Sequence, residues 1–240
     1  MSYFSNFQTI PYDLNGDGIY DTITNLTSFV AASGSLLNQQ TFYNYVQVRD
    51  GERIEQLSQR LYDTTEYYWT FMVINPNIKN IWNDWPKNSA QLLEYSIYKY
   101  ADFAALACSC TDDLLNKFIV GEYVQGVLSG AIGQLLAVHT NDKYITIKLI
   151  SGEFLEQGED LFGLESSDTI TATEVVSRAY APKYHIDDST GDITAPRLAG
   201  THKVTNVEHE SLLNDTNRYV RAIRPEMINE FVSEFNKEII

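Results

Sequence analysis

The 240-residue chain reads as an α+β protein, and three observations carry that class. Residues 43–76 begin as a short alternating strand (Tyr43, Tyr45, Val46, Val48), turn at Asp50-Gly51, and continue as two short apolar segments of helical spacing that end at Asn75-Pro76. Residues 114–180 change period: apolar residues alternate, and glycine recurs at 121, 126, 130, 133, 152, 158 and 163. That is the pattern of short strands joined by turns. The end of the chain returns to helical spacing, with Met227, Ile228, Phe231, Val232 and Phe235 on one stripe behind Pro225 and Glu226. Four regions follow: an N-terminal hairpin or arm (1–40), a strand-led helical unit (41–113), a small glycine-rich, β-barrel-like domain (114–180), and a linker with a C-terminal strand and amphipathic helix (181–240).

In the first region, Phe7–Tyr12 and Ile19–Leu26 flank Asn15-Gly16 and Asp17-Gly18, steps that favour a tight reversal. Asp13, Asn15, Asp17 and Asp21 fall at positions 1, 3, 5 and 9 of a calcium-loop pattern, with Gly18 at position 6 and the Ile19 carbonyl at 7. Position 12 is Thr24 rather than a bidentate Glu. Ca²⁺ is therefore the one cofactor this sequence suggests, in a shortened loop. The ordinary alternative is a hairpin whose Asp and Asn side chains cap their own backbone. Residues 31–35 read as a connector.

The second region predicts helices over Ile54–Leu61 and Glu66–Ile74, an aromatic loop over Asn80–Pro86, and a third helix capped by Ser89 and running over Ala90–Ala107. The third region holds a partial repeat. Gly121-Glu-Tyr-Val-Gln-Gly-Val-Leu-Ser129 and Gly158-Glu-Asp-Leu-Phe-Gly-Leu-Glu-Ser166 share Gly-Glu-x-(Val/Leu)-x-Gly-x-x-Ser. A strand that kinks at its glycine and pairs around a barrel corner would explain the pattern, and the two copies could pair as equivalent strands about a pseudo-twofold axis; the alternative is chance similarity between Gly-rich turns. Residues 181–200 read as an exposed loop, and Arg218–Arg224 alternates like a strand.

Composition excludes several function classes. The net charge of −15 opposes binding to nucleic-acid backbones and anionic lipid. No apolar run approaches the ~18 residues that span a bilayer. The N-terminus has no basic start followed by an apolar core, so no secretory signal is expected. Cys108 and Cys110 are too close for an interstrand disulfide and wrongly spaced for a zinc knuckle, which suggests idle thiols in a reducing cytoplasm. His139, His185, His202 and His209 show no metal spacing, and no nucleophile elbow or phosphate loop occurs. The many carboxylates read as a solvated acidic face. No catalytic set emerges, and the chain is expected not to be an enzyme.

Contact residues are more legible. Sixteen tyrosines are many for this length, and Tyr favours interfaces. Tyr67, Tyr68, Trp69, Trp82 and Trp85 form an aromatic set suited to glycan or to protein. Trp69 is expected to lie partly in the core, with Trp82 and Trp85 nearer a contact. Arg218, Arg221 and Arg224 concentrate positive charge against the acidic bulk and suit an acidic neighbour.

Residues 43–76, in the order strand, Gly turn, helix pair and Asn, resemble a LysM module. With Arg60-Leu-Tyr62 and Tyr67-Tyr-Trp-Thr-Phe-Met-Val-Ile-Asn75 the variant is most similar to that in baseplate wedge proteins of contractile-tailed bacteriophages. Phe7–Asp13, Asp84-Trp-Pro86 with the Ser-started helix to Tyr100, and Glu208–Ile239 resemble the same family in the same order. The resemblance implies a structural role. Such subunits sit six around the tail axis, bind other wedge proteins and the central hub or tail tube, and are assembled in the host cytoplasm into the virion's tail baseplate. Their LysM-like unit serves protein contacts. A peptidoglycan-binding, LysM-type tail protein is the alternative. Two departures stand out: the 114–180 block resembles an insertion, and no second LysM strand follows Asn75.

Overall fold

The computed structural model describes residues 7–25, 41–106, 111–194 and 199–238. It is 30% helical and 31% strand, an α+β composition. In chain order the strands are β1 (Thr9–Tyr12), β2 (Asp21–Thr24), β3 (Tyr43–Gln47), β4 (Phe103–Leu106), β5 (Tyr123–Gly126), β6 (Ile132–His139), β7 (Tyr144–Ser151), β8 (Asp160–Gly163), β9 (Thr169–Thr171), β10 (Glu174–Ser177), β11 (Pro182–Asp187), β12 (Ile193–Thr194), β13 (Thr201–Thr205) and β14 (Tyr219–Ile223). The helices are α1 (Ile54–Tyr62), α2 (Trp69–Ile74), α3 (Ile81–Asp84), α4 (Ser89–Lys99), α5 (Asp112–Leu115), α6 (Asn206–Asn217) and α7 (Ile228–Glu238). Contacts divide the chain into two compact units, residues 1–88 with 213–240, and residues 89–212. The first is thus built from two stretches separated by the second. The cysteines, the 31–35 connector and Pro196 lie outside the described residues.

In the first unit, β1 and β2 pair as the expected hairpin, Thr9 opposite Thr24 and Tyr12 opposite Asp21. The partner of β3 comes from far along the chain: β3 pairs antiparallel with β14, Tyr45 opposite Arg221. Val48 donates to the Arg218 carbonyl and Arg224 to the Phe42 carbonyl. The even-numbered residues therefore hold the ladder, and the odd-numbered ones turn their N–H and C=O outward. On β14 the Asn75 amide meets that outward edge. Its Oδ1 accepts from Arg221 N–H at 2.8 Å and its Nδ2 donates to the Arg221 carbonyl at 2.9 Å. The Tyr62 hydroxyl caps the Ile223 carbonyl beside it.

Helix α2 is buried at every position but Met72, because it lies between two apolar clusters. Phe71 joins Val48, Ile54, Leu57, Ile78, Trp85, Val220 and Ala222. Trp69, Val73 and Ile74 join Phe7, Ile223 and the apolar stripe of α7 (Ile228, Phe231, Phe235). Helix α1 stops at Asp63, whose φ of 57° puts it in the left-handed region that ends helices. Within residues 80–86, expected as a loop, Ile81–Asp84 form the single turn α3, because the Asn80 side chain accepts from Trp82 N–H and starts it.

In the second unit, seven strands form an antiparallel sheet ordered β10-β4-β7-β6-β5-β8-β9. Edge strands β9 and β10 are separated in sequence by Ala172 and Thr173 alone, so the edges lie within about 11 Å of each other and the sheet must roll. No ladder joins those edges among the described residues. The barrel-like expectation is therefore corrected to an open, rolled sheet. Leu115, Phe118, Val124, Leu135, Ile145, Ile147, Leu161 and Ile170 fill its inside.

Two further expectations change here. The helix predicted to Ala107 ends at Lys99, and Phe103–Leu106 becomes β4. Ladder partners on both sides, β7 and β10, outweigh the helical propensity of an Ala-rich run. Within residues 181–200, expected as a loop, β11 and β12 form and pair with each other, while β13 pairs on the other side of β11. Helix α6 has no clear apolar stripe and gave no signal.

The strands of the two repeat copies are neighbours in this sheet. Strands β5 and β8 pair antiparallel, Gln125 opposite Phe162, so an approximate twofold relates them. Each copy's glutamate is buried and reaches into the serine turn of the other. Glu159 accepts from Leu128 N–H, Ser129 N–H and Ser129 Oγ, and from Leu155 N–H. Glu122 accepts from Glu165 N–H, Ser166 N–H and Ser166 Oγ, and from Ile119 N–H. The shared glycines make room for this. A Cβ on Gly126 would sit 2.6 Å from Glu159 Oε2, and one on Gly163 would sit 2.7 Å from Glu122 Oε2.

Candidate interaction surface

Alternation on β3 and β14 builds one face of the first unit. Val46, Val220 and Ala222 pack inward. Tyr43, Tyr45, Gln47, Tyr219 and Arg221 take the other side, as successive side chains in a strand must. Tyr45 is 62% exposed and Tyr219 58%. The Arg221 guanidinium carbon lies 5.0 Å from the centre of the Tyr43 ring and 6.0 Å from that of Tyr45, and its Nε is 3.4 Å from the Tyr45 hydroxyl. Tyr43 and Tyr45 meet edge to face at 5.7 Å. The hydrogen bond from Arg221, then its charge, holds the Tyr45 hydroxyl below the usual tyrosine range. This is a fixed arginine between two rings, offering a cation, a phenol and apolar area together.

The predicted contact residues divide. Trp69 is 3% exposed, with its ring 4.5 Å from that of Phe235, and is core. Trp85 is 6% exposed and donates its indole N–H to the Glu52 carbonyl at 2.7 Å, so it too is core rather than contact. Tyr68 is half-buried between the two clusters. Tyr67 is half-buried and donates to Asn229 Oδ1. Trp82 is 86% exposed and stands free of both clusters. Arg218 is occupied by Asp50 and Asp215. Arg224 packs its Nε into the interior, without a hydrogen-bond partner among the described residues. Of the three arginines, only Arg221 presents its charge on the tyrosine face. Sequence reasoning missed Tyr45 and Tyr219, although the out-of-phase alternation Tyr43/Tyr45 against Val46/Val48 marks the face.

Asp13, Asn15, Asp17 and Asp21 sit at the hairpin tip. Asp13 Oδ1 accepts from the N–H groups of Asn15, Gly16 and Asp17, and Oδ2 accepts from Gly18. Asp17 Oδ1 accepts from Ile19 N–H. The Gly18 amide is the largest influence on Asp13 and lowers its pKa. Among the described residues, no group of three His, Cys, Asp or Glu is placed to hold a metal ion. Around this self-capped loop Tyr12, Leu14, Ile19 and Tyr20 are exposed, an apolar set of the kind that contacts partners.

An aromatic and cationic face and an exposed apolar hairpin are equipment for assembly, and the comparison with known families agrees. Residues 8–107 match the family model of base plate wedge protein 53. The match runs from the hairpin through β3, α1, α2, α3 and α4 to β4. It supports a structural role in a phage baseplate, in association with other baseplate proteins. No curated protein matches the chain. Among the described residues, no helix is long and apolar enough to cross a membrane.

Proposed function

We propose that this protein joins wedge subunits to one another and to the central hub or tube of a contractile tail, as one of six copies around the axis. The observation that carries the reading is the Tyr45–Arg221–Tyr219 face, held rigid by the ladder beneath it and left open to solvent. Trp82 and the hairpin apolar set are its auxiliary contacts. The β3–α1–α2 unit completed by β14 has the strand–helix–helix–strand order of a LysM module. It serves here for protein contact: a pull-down on purified peptidoglycan is expected to leave the chain in solution.

The test is Tyr45→Ala combined with Tyr219→Ala. Both side chains are mostly solvent-exposed, so the thermal midpoint should stay near wild type while incorporation into tail particles falls. A folded double variant that enters particles at the wild-type level would sink the proposal.

A further inference from the structure

We infer that the outer edge of β3 accepts an added strand from an acidic, extended segment of a neighbouring baseplate polypeptide. This rests on the baseplate reading above. The two edges of the β3–β14 ribbon differ. On β14 the outward N–H and C=O of Arg221 are taken by Asn75, and the Ile223 carbonyl by Tyr62. On β3 the Gln47 carbonyl accepts from Arg60 Nη2, but the N–H and C=O of Tyr45 have no partner among the described residues, nor has the N–H of Gln47. An exposed strand edge with unpaired amides is a template for another chain unless it is blunted by proline, a bulge or an inward charge. Residues 43–47 carry none of these.

Charge selects the occupant. Arg221 leans across Tyr43 and Tyr45 towards this edge, and Arg49 stands exposed just beyond the strand's end. Arg221 is in no ion pair among the described residues, and Arg49 acts on the Glu52 carboxylate without closing one. A carboxylate on the tyrosine side of an added strand would meet Arg221 and the Tyr45 hydroxyl together, giving a charge-assisted contact. A basic segment would meet like charge. A second copy would bring a second Arg221 and Arg49 to the same edge.

The decisive measurement is amide hydrogen exchange over residues 43–48 at single-residue resolution, in the isolated full chain and in purified tail particles containing it. Tyr45 and Gln47 should exchange fast in the free chain and slow by about tenfold or more in the particle, while Val46 is protected in both. Tyr45→Pro removes only an outward N–H, so it spares the β14 ladder and should block incorporation. Arg221→Glu should do the same, and Arg221→Lys should retain incorporation. Should Tyr45→Pro fail to fold, exchange in the wild-type chain still decides. Equal exchange at Tyr45 in both states overturns the inference and leaves the baseplate role standing; absence of the chain from particles overturns the role itself. A dimer of the isolated chain that Tyr45→Pro dissociates would replace the acidic partner with a second copy.

Discussion

Glu122 and Glu159 show how two residues can hold a domain. Burial is the largest single influence and opposes their ionisation, yet the donors of the Ser166 turn with Ile119 N–H, and of the Ser129 turn with Leu155 N–H, together outweigh it. Both carboxyls therefore lie below the usual glutamate value of 4.5. Because the folded pKa is depressed, the unfolded chain binds more protons as the pH drops. The stability these groups contribute is complete above about pH 4.5 and is lost as the pH falls through the folded value. Glu122→Gln and Glu159→Gln should each cost about 1.5–3 kcal/mol at neutral pH. Each should also flatten the acid limb of the stability curve, as read by denaturant unfolding across pH. A neutral-pH loss with an unaltered acid limb would show that the carboxylate charge is not what holds the turn. The sequence displayed this pair as a repeat, but it could not show that each glutamate serves the other copy's serine, since that depends on the register of β5 against β8.

Elements explain why the aromatic candidates separated. Trp69 and Trp82 have the same side chain, but α2 is enclosed on both sides, whereas α3 is one turn on the surface. Trp69→Ala should cost about 3–5 kcal/mol, and Trp82→Ala should stay within about 0.5 kcal/mol. Thermal or denaturant unfolding of the two variants checks the contrast, and similar losses would contradict it. The hairpin, α1, β14 and the C-terminal helix were legible because each carries a local signal: Asn-Gly and Asp-Gly steps, apolar spacing of three and four, or Pro before a stripe. Strands β4, β11 and β13 were not. Phe103–Leu106 has helix-forming residues, and only its neighbours β7 and β10 make it a strand. Pro182, Gly191 and Gly200 punctuate the chain like a loop, although the segments between them find ladder partners. Of the interaction face, Arg221 was legible as charge. Tyr45 required the knowledge that β3 has an open side.

At the scale of the whole molecule, the first unit depends on both ends of the chain. The 8–107 segment that matches the wedge family holds β3, α1 and α2, but neither β14, which completes their sheet, nor α7, which covers Trp69. Expressed alone, residues 8–107 should lack a cooperative melting transition. Adding a peptide of residues 213–240 should restore near-ultraviolet dichroism from the buried tryptophans. A cooperative melt of 8–107 by itself would show that the second stretch is dispensable. The crossed glutamates have a counterpart during synthesis. When residues 121–129 leave the ribosome, the amides of the Ser129 turn have no acceptor, because Glu159 is thirty residues away in sequence and still untranslated. Neither copy can finish its own turn, so this sheet has no stable half-made stage on the nascent chain, and its assembly must wait for the second copy to emerge.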